Sequence, residues 1–170
     1  GFRTSYSWTE PRRWNDKDYN GPGKENHPVC AVSWYEAEAY CHWLTQKTGV
    51  HYRLPAAVEW EKAARGMDGR IFPWGDEWKP EACNWLADTE GNKLPNTEID
   101  GYIYTAPVGT YPEGVSAYGC YDMAGNVLEW CSDVLNNLNK DITSFENRTY
   151  KGGCFFIGTP RLFRCAWRGG

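Results

Sequence analysis

Two early segments of the chain carry apolar residues at helical spacing. In the first, Ala37, Tyr40 and Leu44 recur at intervals of three and four, which places them on one helical face. The stretch Ser33–Glu36 in front of them is a capping box, in which a hydroxyl and a carboxylate each accept a backbone N–H. The pattern predicts a helix over 34–48.

The second segment covers 56–65 and places Trp60 and Ala64 on one side of a predicted helix. Its start has no residue that could cap the helix through its side chain. Gly49 and Gly66 follow the two segments, and glycine is the preferred residue just beyond a helix end. We therefore expect two short helices in the first part of the chain.

After Gly66 the periodicity disappears and turn-forming dipeptides become frequent. A long irregular stretch in a compact domain is typically functional or braced by a metal. Short strands are predicted further on, which gives an α+β fold with antiparallel strands. Residues 1–29 are read as an ordered loop that lies on the domain. The strand candidates are Ala106–Tyr111, Asn126–Cys131, Tyr150–Phe156 and Leu162–Trp167.

Length and charge limit the number of domains and the classes of partner that the chain could bind. The chain has 170 residues and a net charge of −4 without a long basic run, so one domain is expected and a nucleic-acid partner is disfavoured. No apolar stretch is long enough to span a membrane. The 10 Trp, 11 Tyr and 6 Phe can hold irregular loops rigid, because aromatic rings bury much area with few rotatable bonds.

Seven cysteines are present, and neither their spacing nor that of the three histidines matches a zinc site. Buried free thiols and one or two disulfides are equally compatible with the sequence. Cys154 and Cys165 are eleven positions apart, and on paired antiparallel strands they could approach each other, with a disulfide as their structural use. The compartment stays open, with an extracytoplasmic location slightly favoured.

An ordered set of short motifs runs from about residue 27 to 168. The longest is YDMAGNVLEW at Tyr121–Trp130. In their order these motifs resemble the formylglycine-generating-enzyme, or sulfatase-modifying-factor, domain. The resemblance implies a C-type-lectin-like α+β fold with two helices, a small antiparallel sheet and much irregular structure. The shorter motifs are His27–Val29, Val32–Ala37, Arg53–Pro55, Glu59–Glu61, Phe72–Gly75, Ala106–Gly109, Lys151–Cys154 and Arg164–Arg168.

That family is functionally mixed. Some members oxidise a sulfatase cysteine with copper held by two thiolates, some are sulfoxide synthases with a three-histidine iron site, and others bind ligands. The positions of the two copper thiolates fall near Ile157 or Gly158 and at Pro160, and Cys154 stands where the motif has serine. Copper is therefore not expected. Iron is not expected either, because the only histidines in this sequence are His27, His42 and His51, and each is interpreted as structural or solvated. We expect a non-catalytic binding or structural module of bacterial origin.

Two alternatives to that module stay open. One is a metal-dependent oxidase of the formylglycine-generating type with an altered active site. The other is a ligand-binding variable protein of a diversity-generating retroelement. In binding members the ligand is contacted by the strand region near the end of the domain, and we expect about half of the matching side chains to face the core. The matching residues are Phe155, Phe156, Arg161, Phe163, Trp167 and Arg168.

The resemblance also implies Ca²⁺ as a brace for the irregular loops, held by carboxylate, amide and carbonyl oxygens. Alternatively, Asn126 and Glu129 only satisfy loop amides, without a metal. The first predicted site comprises Asn84, Trp85, Asp100 and Tyr102, and the second comprises Gly125, Asn126, Val127 and Glu129.

The flanking strands of the family domain have no counterpart in this sequence. The helix-one cysteine, Cys41, correspondingly lacks the partner with which the family can bond it. We therefore expect one domain over 1–170, truncated at one or both ends relative to the family. A protein partner or a larger complex would cover the open edge.

Overall fold

The structure, a computed structural model, describes residues 11–86, 101–135 and 147–170. Helix α1 spans Trp34–Thr48 and helix α2 spans Ala57–Arg65. Both predicted helices are thereby confirmed. Within the described residues, no helix combines the length and the apolar character that crossing a bilayer requires.

The capping box at the start of α1 is formed as the sequence predicts. The Ser33 hydroxyl accepts from the Glu36 N–H at 3.3 Å, and the Glu36 carboxylate accepts from the Ser33 N–H at 2.7 Å. Gly49 ends the helix in the left-handed conformation, with φ of 74°. Trp34 then fixes α1 to the sheet, because its indole N–H donates to the Cys131 carbonyl at 2.8 Å.

Replacing Ser33 with alanine is expected to lower the free energy of unfolding by about 1 kcal/mol, the usual cost of losing an N-cap side chain. Urea unfolding of Ser33→Ala against wild type measures this change. Gln46→Ala, at an exposed position within the same helix, is the matched control. Equal losses in the two variants would show that the cap contributes nothing specific.

Helix α2 has no side-chain cap of its own and receives one from another element. The Ala57 N–H donates to the Asp133 carboxylate at 2.5 Å, and the Ala56 N–H donates to Glu59 at 2.8 Å.

Lys151 is buried beneath this helix, 1% exposed, and its ammonium lies 3.1 Å from the Glu61 carboxylate. Glu61, at 28% side-chain exposure, therefore holds the charge of a buried lysine.

The strands β1 (Glu129–Val134) and β2 (Arg148–Lys151) pair antiparallel and form a small two-stranded sheet. Near the end of the chain, Gly169 forms an isolated bridge with Tyr150. Three short 3₁₀ helices lie at Pro80–Ala82, Pro112–Gly114 and Pro160–Phe163.

Two predicted strands are not formed. Residues 106–111 make a turn instead, in which the Thr110 N–H and hydroxyl both donate to the Pro107 carbonyl and the Gly109 N–H donates to Asp122. The segment 162–167 begins inside the 3₁₀ helix that Pro160 starts, since proline fits the first position of a helix.

Two apolar clusters form the core. One lies beneath α2, where Trp60 packs with Met123, Cys131 and Cys165. The other lies in the irregular region, where Phe72 and Phe163 are surrounded by indole rings from Trp74, Trp78 and Trp85. Trp78 stands at the centre of the second cluster, with ring centroids 5.3 Å from both Phe72 and Phe163.

Candidate functional site

A cleft of about 400 Å³ opens where the N-terminal loop meets the sheet. We call it the aromatic cleft. Its wall is largely apolar, and among the described lining residues the Arg13 guanidinium is the one charged group. That guanidinium lies over the Tyr19 ring, 4.3 Å from its centroid, and pairs with Asp16 at 3.0 Å. The lining residues are Arg13, Tyr19, Val29–Val32, Val127, Leu128, Trp130, Tyr150 and Cys154–Phe156.

Two phenylalanines form one side of the aromatic cleft. Phe155 is buried and Phe156 is 60% exposed, and their rings meet edge to face at 5.2 Å. The Phe155 N–H donates to the Asn126 carbonyl at 3.1 Å, which fixes the direction of this segment. Tyr19 of the N-terminal loop packs on Phe155 at 6.4 Å, so the loop is held against the domain.

The other four residues of the predicted ligand-contacting set are not part of the cleft wall. Phe163 is fully buried in the indole cluster, which removes it from that set. Trp167 is half-buried and packs on Tyr150 at 6.0 Å, while Arg161 and Arg168 are exposed elsewhere. The set disperses because the segment around Phe163 is a 3₁₀ helix, in which side chains do not alternate as they do in a strand.

At the first predicted calcium site, Asn84 is fully buried and its side-chain oxygen has no hydrogen-bond partner among the described residues. Its amide nitrogen is oriented by a bond of 2.8 Å to the Tyr104 carbonyl. An unpartnered buried oxygen is costly unless a cation or water approaches it, so Asn84 fits a hard cation. Trp85 and Tyr102 are half-buried, and Asp100 lies outside the described residues.

The second predicted site lies in a separate cleft of about 390 Å³, which we call the acidic cleft. Here the structure brings Asp122 to Glu129, a neighbour that the sequence analysis did not identify. The Glu129 carboxylate accepts from the Trp60 indole N–H at 2.6 Å, and that of Asp122 accepts from the Gly109 N–H at 2.8 Å. The lining residues are Pro28, Val108, Gly109, Tyr121, Asp122, Asn126, Val127 and Glu129.

The electrostatics of the acidic cleft favour a cation. Burial raises the pKa of Glu129 to about 7, and the negative charge of Asp122 adds to the shift. Burial also raises the pKa of Asp122. Carboxylates that lose hydration resist ionisation, and a positive charge nearby favours their ionised form. The pair therefore fits a divalent cation bound through oxygen.

Asn126 serves the loop rather than a ligand. Its side-chain oxygen accepts from the Ala106 N–H at 2.9 Å, and its amide nitrogen donates to the Ala106 carbonyl at 3.2 Å. These two hydrogen bonds occupy the Asn126 side chain. Among the described residues of the two predicted sites, Asn84 and Glu129 are then the side chains that could bind a cation. Within the described ranges, no group of three or more His, Cys, Asp or Glu side chains converges as a metal cluster would.

All seven cysteines are free thiols in the structure. A disulfide between Cys154 and Cys165 is not formed, and Cys165 lies in the core beneath α2. Cys154 instead lines the aromatic cleft together with Cys30. These two thiols are close enough for the charge of one to raise the pKa of the other.

Known proteins are similar to this chain in sequence and in fold. The profile described as sulfatase-modifying factor enzyme 1-like domain matches residues 2–170. The chain is 39% identical over 158 residues to the formylglycine-generating enzyme of Mus musculus, covering 85% of this chain and 40% of that protein. It is 37% identical over 130 residues to inactive C-alpha-formylglycine-generating enzyme 2 of Bos taurus, covering 72% and 40%. The chain thus spans about two fifths of the length of these relatives.

A solved structure gives the same result for the fold. Treponema denticola variable protein 1 superimposes with a TM-score of 0.63 at 20% identity, over 99% of this chain and 72% of that one. At this identity the likeness concerns the fold alone. The expected C-type-lectin-like α+β fold is confirmed by the two helices, the small antiparallel sheet and these relatives.

Proposed function

The chain belongs to the family of sulfatase-modifying factor enzyme 1-like domains, and from that premise we propose that it is a non-catalytic binding module. Its ligand is an apolar segment of a partner protein, held in the aromatic cleft. The observation that carries this proposal is the cleft wall, where the exposed ring of Phe156 stands beside the buried Phe155. Aromatic side chains at such positions commonly dominate binding energy.

The sequence supports a module without oxidase chemistry. Copper oxidation of a substrate thiol uses two protein thiolates, and the positions that the resemblance assigns to them hold Ile157 or Gly158 and Pro160. None of these residues can ligate copper through a side chain. The family also includes a protein named as inactive, at 37% identity to this chain.

Calcium is part of this proposal as a structural brace. Asn84 would contribute its unpartnered oxygen, and Asp122 and Glu129 would contribute carboxylates at the acidic cleft. The bound ion supplies positive charge that offsets the repulsion between the two carboxylates. It would thereby hold the 122–129 turn, which also supplies Val127 and Leu128 to the wall of the aromatic cleft.

The apolar segment can be tested with a random peptide library displayed on phage and selected on the intact chain. We expect enriched peptides with an aromatic or aliphatic residue that bind wild type. Phe156→Ala is expected to lose at least about 2 kcal/mol of binding, roughly thirtyfold in Kd, as for a central aromatic contact. Val58→Ala, on the exposed face of α2, is the control and should bind as wild type does.

Two results would contradict the binding proposal. One is a selection that yields no enriched peptide, and the other is peptides that bind Phe156→Ala as tightly as wild type. If natural variants of the cleft wall each select entirely different peptides, the variable-protein alternative is favoured instead. A variable protein would use the same cleft but would bind a different ligand in each variant.

The oxidase alternative is tested by a separate assay. Copper-loaded chain is incubated under oxygen with a peptide that carries Cys-x-Pro-x-Arg, and the product mass is followed for conversion of the cysteine to the aldehyde. No conversion is expected. Turnover that disappears in Cys154→Ser would restore the oxidase function and overturn the non-catalytic module.

A further inference from the structure

The aromatic cleft places a positive charge beside its apolar wall. The charge belongs to Arg13, whose side chain is 52% exposed and lines the cleft. Its guanidinium lies over the Tyr19 ring, 4.3 Å from the centroid. Stacking uses the flat face of a guanidinium, whereas its N–H donors point outward along the edge. The cleft therefore offers charged hydrogen-bond donors next to aromatic rings.

Asp16, the charge partner of Arg13, uses only part of that edge. The Arg13 Nη1 donates to the Asp16 carboxylate at 3.0 Å, in an exposed pair three residues apart. Asp16 is not among the described residues that line the cleft. A guanidinium has five N–H donors, so one bond does not saturate it. Exposed pairs of this kind contribute little free energy, which leaves the guanidinium able to bond a second carboxylate.

Two segments of the cleft wall have a backbone conformation that residues other than glycine rarely adopt. Arg13 has φ of 59° and Ala31 has φ of 58°, and both line the cleft. The Asn20 side chain ties the two segments together. It donates to the Arg13 carbonyl at 3.3 Å and to the Cys30 carbonyl at 2.9 Å, and it accepts from the Cys30 N–H at 2.8 Å. Such conformations persist where the surroundings fix them, and they cluster at binding sites.

The guanidinium is close to the apolar part of the cleft. Tyr19, on which it stacks, packs on Phe155 with ring centroids 6.4 Å apart, and Phe155 meets Phe156 at 5.2 Å. The successive contacts of 4.3 Å and 6.4 Å limit the separation between the guanidinium and the Phe155 ring. An extended chain advances roughly 3.3–3.6 Å per residue, so this separation corresponds to at most about three residues of a bound segment.

We propose that the apolar segment bound in the aromatic cleft carries an Asp or Glu side chain, which pairs with Arg13, within about three residues of its aromatic or aliphatic anchor. This inference rests on the binding function proposed above and names the class of partner. Arginine pairs with carboxylate through two parallel N–H···O bonds, whereas a chain-terminal carboxylate is captured by successive backbone N–H groups. The donor here is a side chain, so the occupant is an acidic side chain. A Lys or Arg at the same place would meet a like charge.

The first readout is the sequence of the peptides that the phage selection enriches. On wild type, Asp or Glu should be over-represented within about three residues of the anchor, and on Arg13→Gln this preference should disappear. One enriched peptide is then synthesised with Asp, Asn or Lys at the acidic position and with an amidated C-terminus. Wild type should bind the Asp form about tenfold more tightly than the Asn form, as for a hydrogen bond between charged groups, and the Lys form more weakly still.

Variants of Arg13 assign the preference to its charge. Arg13→Gln should bind the Asp and Asn forms alike, and Arg13→Glu should bind the Lys form best. Arg164→Gln is the matched control, because Arg164 is also an exposed arginine and is not among the described residues that line the cleft. It should keep the preference of wild type. Melting curves identify any variant that does not fold, and added salt tests wild type directly, since it should weaken binding of the Asp form more than that of the Asn form.

The outcomes separate this inference from the binding function on which it rests. Equal affinity of wild type for the Asp and Asn forms, or a retained Asp preference in folded Arg13→Gln, would overturn the acidic occupant and leave the apolar ligand intact. Binding that is lost on amidation would overturn it too, because a terminal carboxylate would then be the ligand. A selection without any enriched peptide would contradict the binding function, and this inference with it.

Discussion

Replacing Gly125 with alanine is expected to destabilise the chain by about 2–5 kcal/mol. A left-handed backbone costs a residue with a Cβ about 1–2 kcal/mol, and overpacking adds about 1–3 kcal/mol. Gly125 has φ of 81°, and an added Cβ would collide with the Asn84 carbonyl and lie 3.0 Å from the Cys83 Cβ. Thermal unfolding measures the loss, at roughly 2–4 °C per kcal/mol for a domain of this size.

The collision can be separated from backbone strain with a second glycine. Gly119 has φ of 78°, and an added Cβ would have no atom within 4 Å. Gly119→Ala should therefore lose only the backbone cost of about 1–2 kcal/mol. If the two variants are equally destabilised, the close approach between the Gly125 turn and the Asn84 carbonyl is not important for stability.

The helices could be predicted because their signals are local. The Ser33 capping box and the glycine at position 49 act within one helical turn of the residues they cap, so the chain order alone contains them. The cap of α2 illustrates the limit of such reasoning. The Asp133 carboxylate in β1 accepts from the Ala57 N–H of this helix, and nothing in the spacing of the two segments indicates the contact.

The predicted strands at 106–111 and 162–167 are not formed. At 106–111, other contacts satisfy the backbone hydrogen-bonding groups. Residues 106–111 have a strand-like composition, but the Asn126 side chain binds both the N–H and the carbonyl of Ala106. An amide side chain thus occupies groups that a neighbouring strand would otherwise pair. Propensity alone does not reveal this competition, because the amide belongs to a different part of the chain.

The candidate sites were predicted only in part for the same reason. Motif resemblance identified Asn84 and Glu129, whose surroundings fit a cation. It did not identify Asp122, because a polar residue in a turn has no pattern that indicates its neighbour in space. Likewise, Cys30 and Cys154 line the same cleft because the loop before α1 folds back onto the residues that follow β2.

Calcium is expected to raise the melting temperature of the chain, in proportion to a free energy of RT ln(1 + [L]/Kd). At a hundredfold excess over Kd this amounts to about 2.7 kcal/mol, since only the folded state holds the oxygen donors together. Melting curves in EDTA and in millimolar Ca²⁺ measure the difference, and elemental analysis reports bound metal. Superimposable curves with no bound metal would refute the calcium brace.

Substitutions of Glu129 and Asp122 test whether the calcium ion binds in the acidic cleft, because their effects on stability should differ between EDTA and Ca²⁺. In EDTA, Glu129→Gln should be at least as stable as wild type, because burial penalises the charged carboxylate. In Ca²⁺ the same variant, and Asp122→Asn, should lose most of the calcium-dependent gain. Glu113→Gln, at an exposed acid in a 3₁₀ helix, should behave as wild type in both buffers. A full calcium shift in Glu129→Gln would instead place the ion at the donors around Asn84, whose buried side-chain oxygen has no hydrogen-bond partner among the described residues.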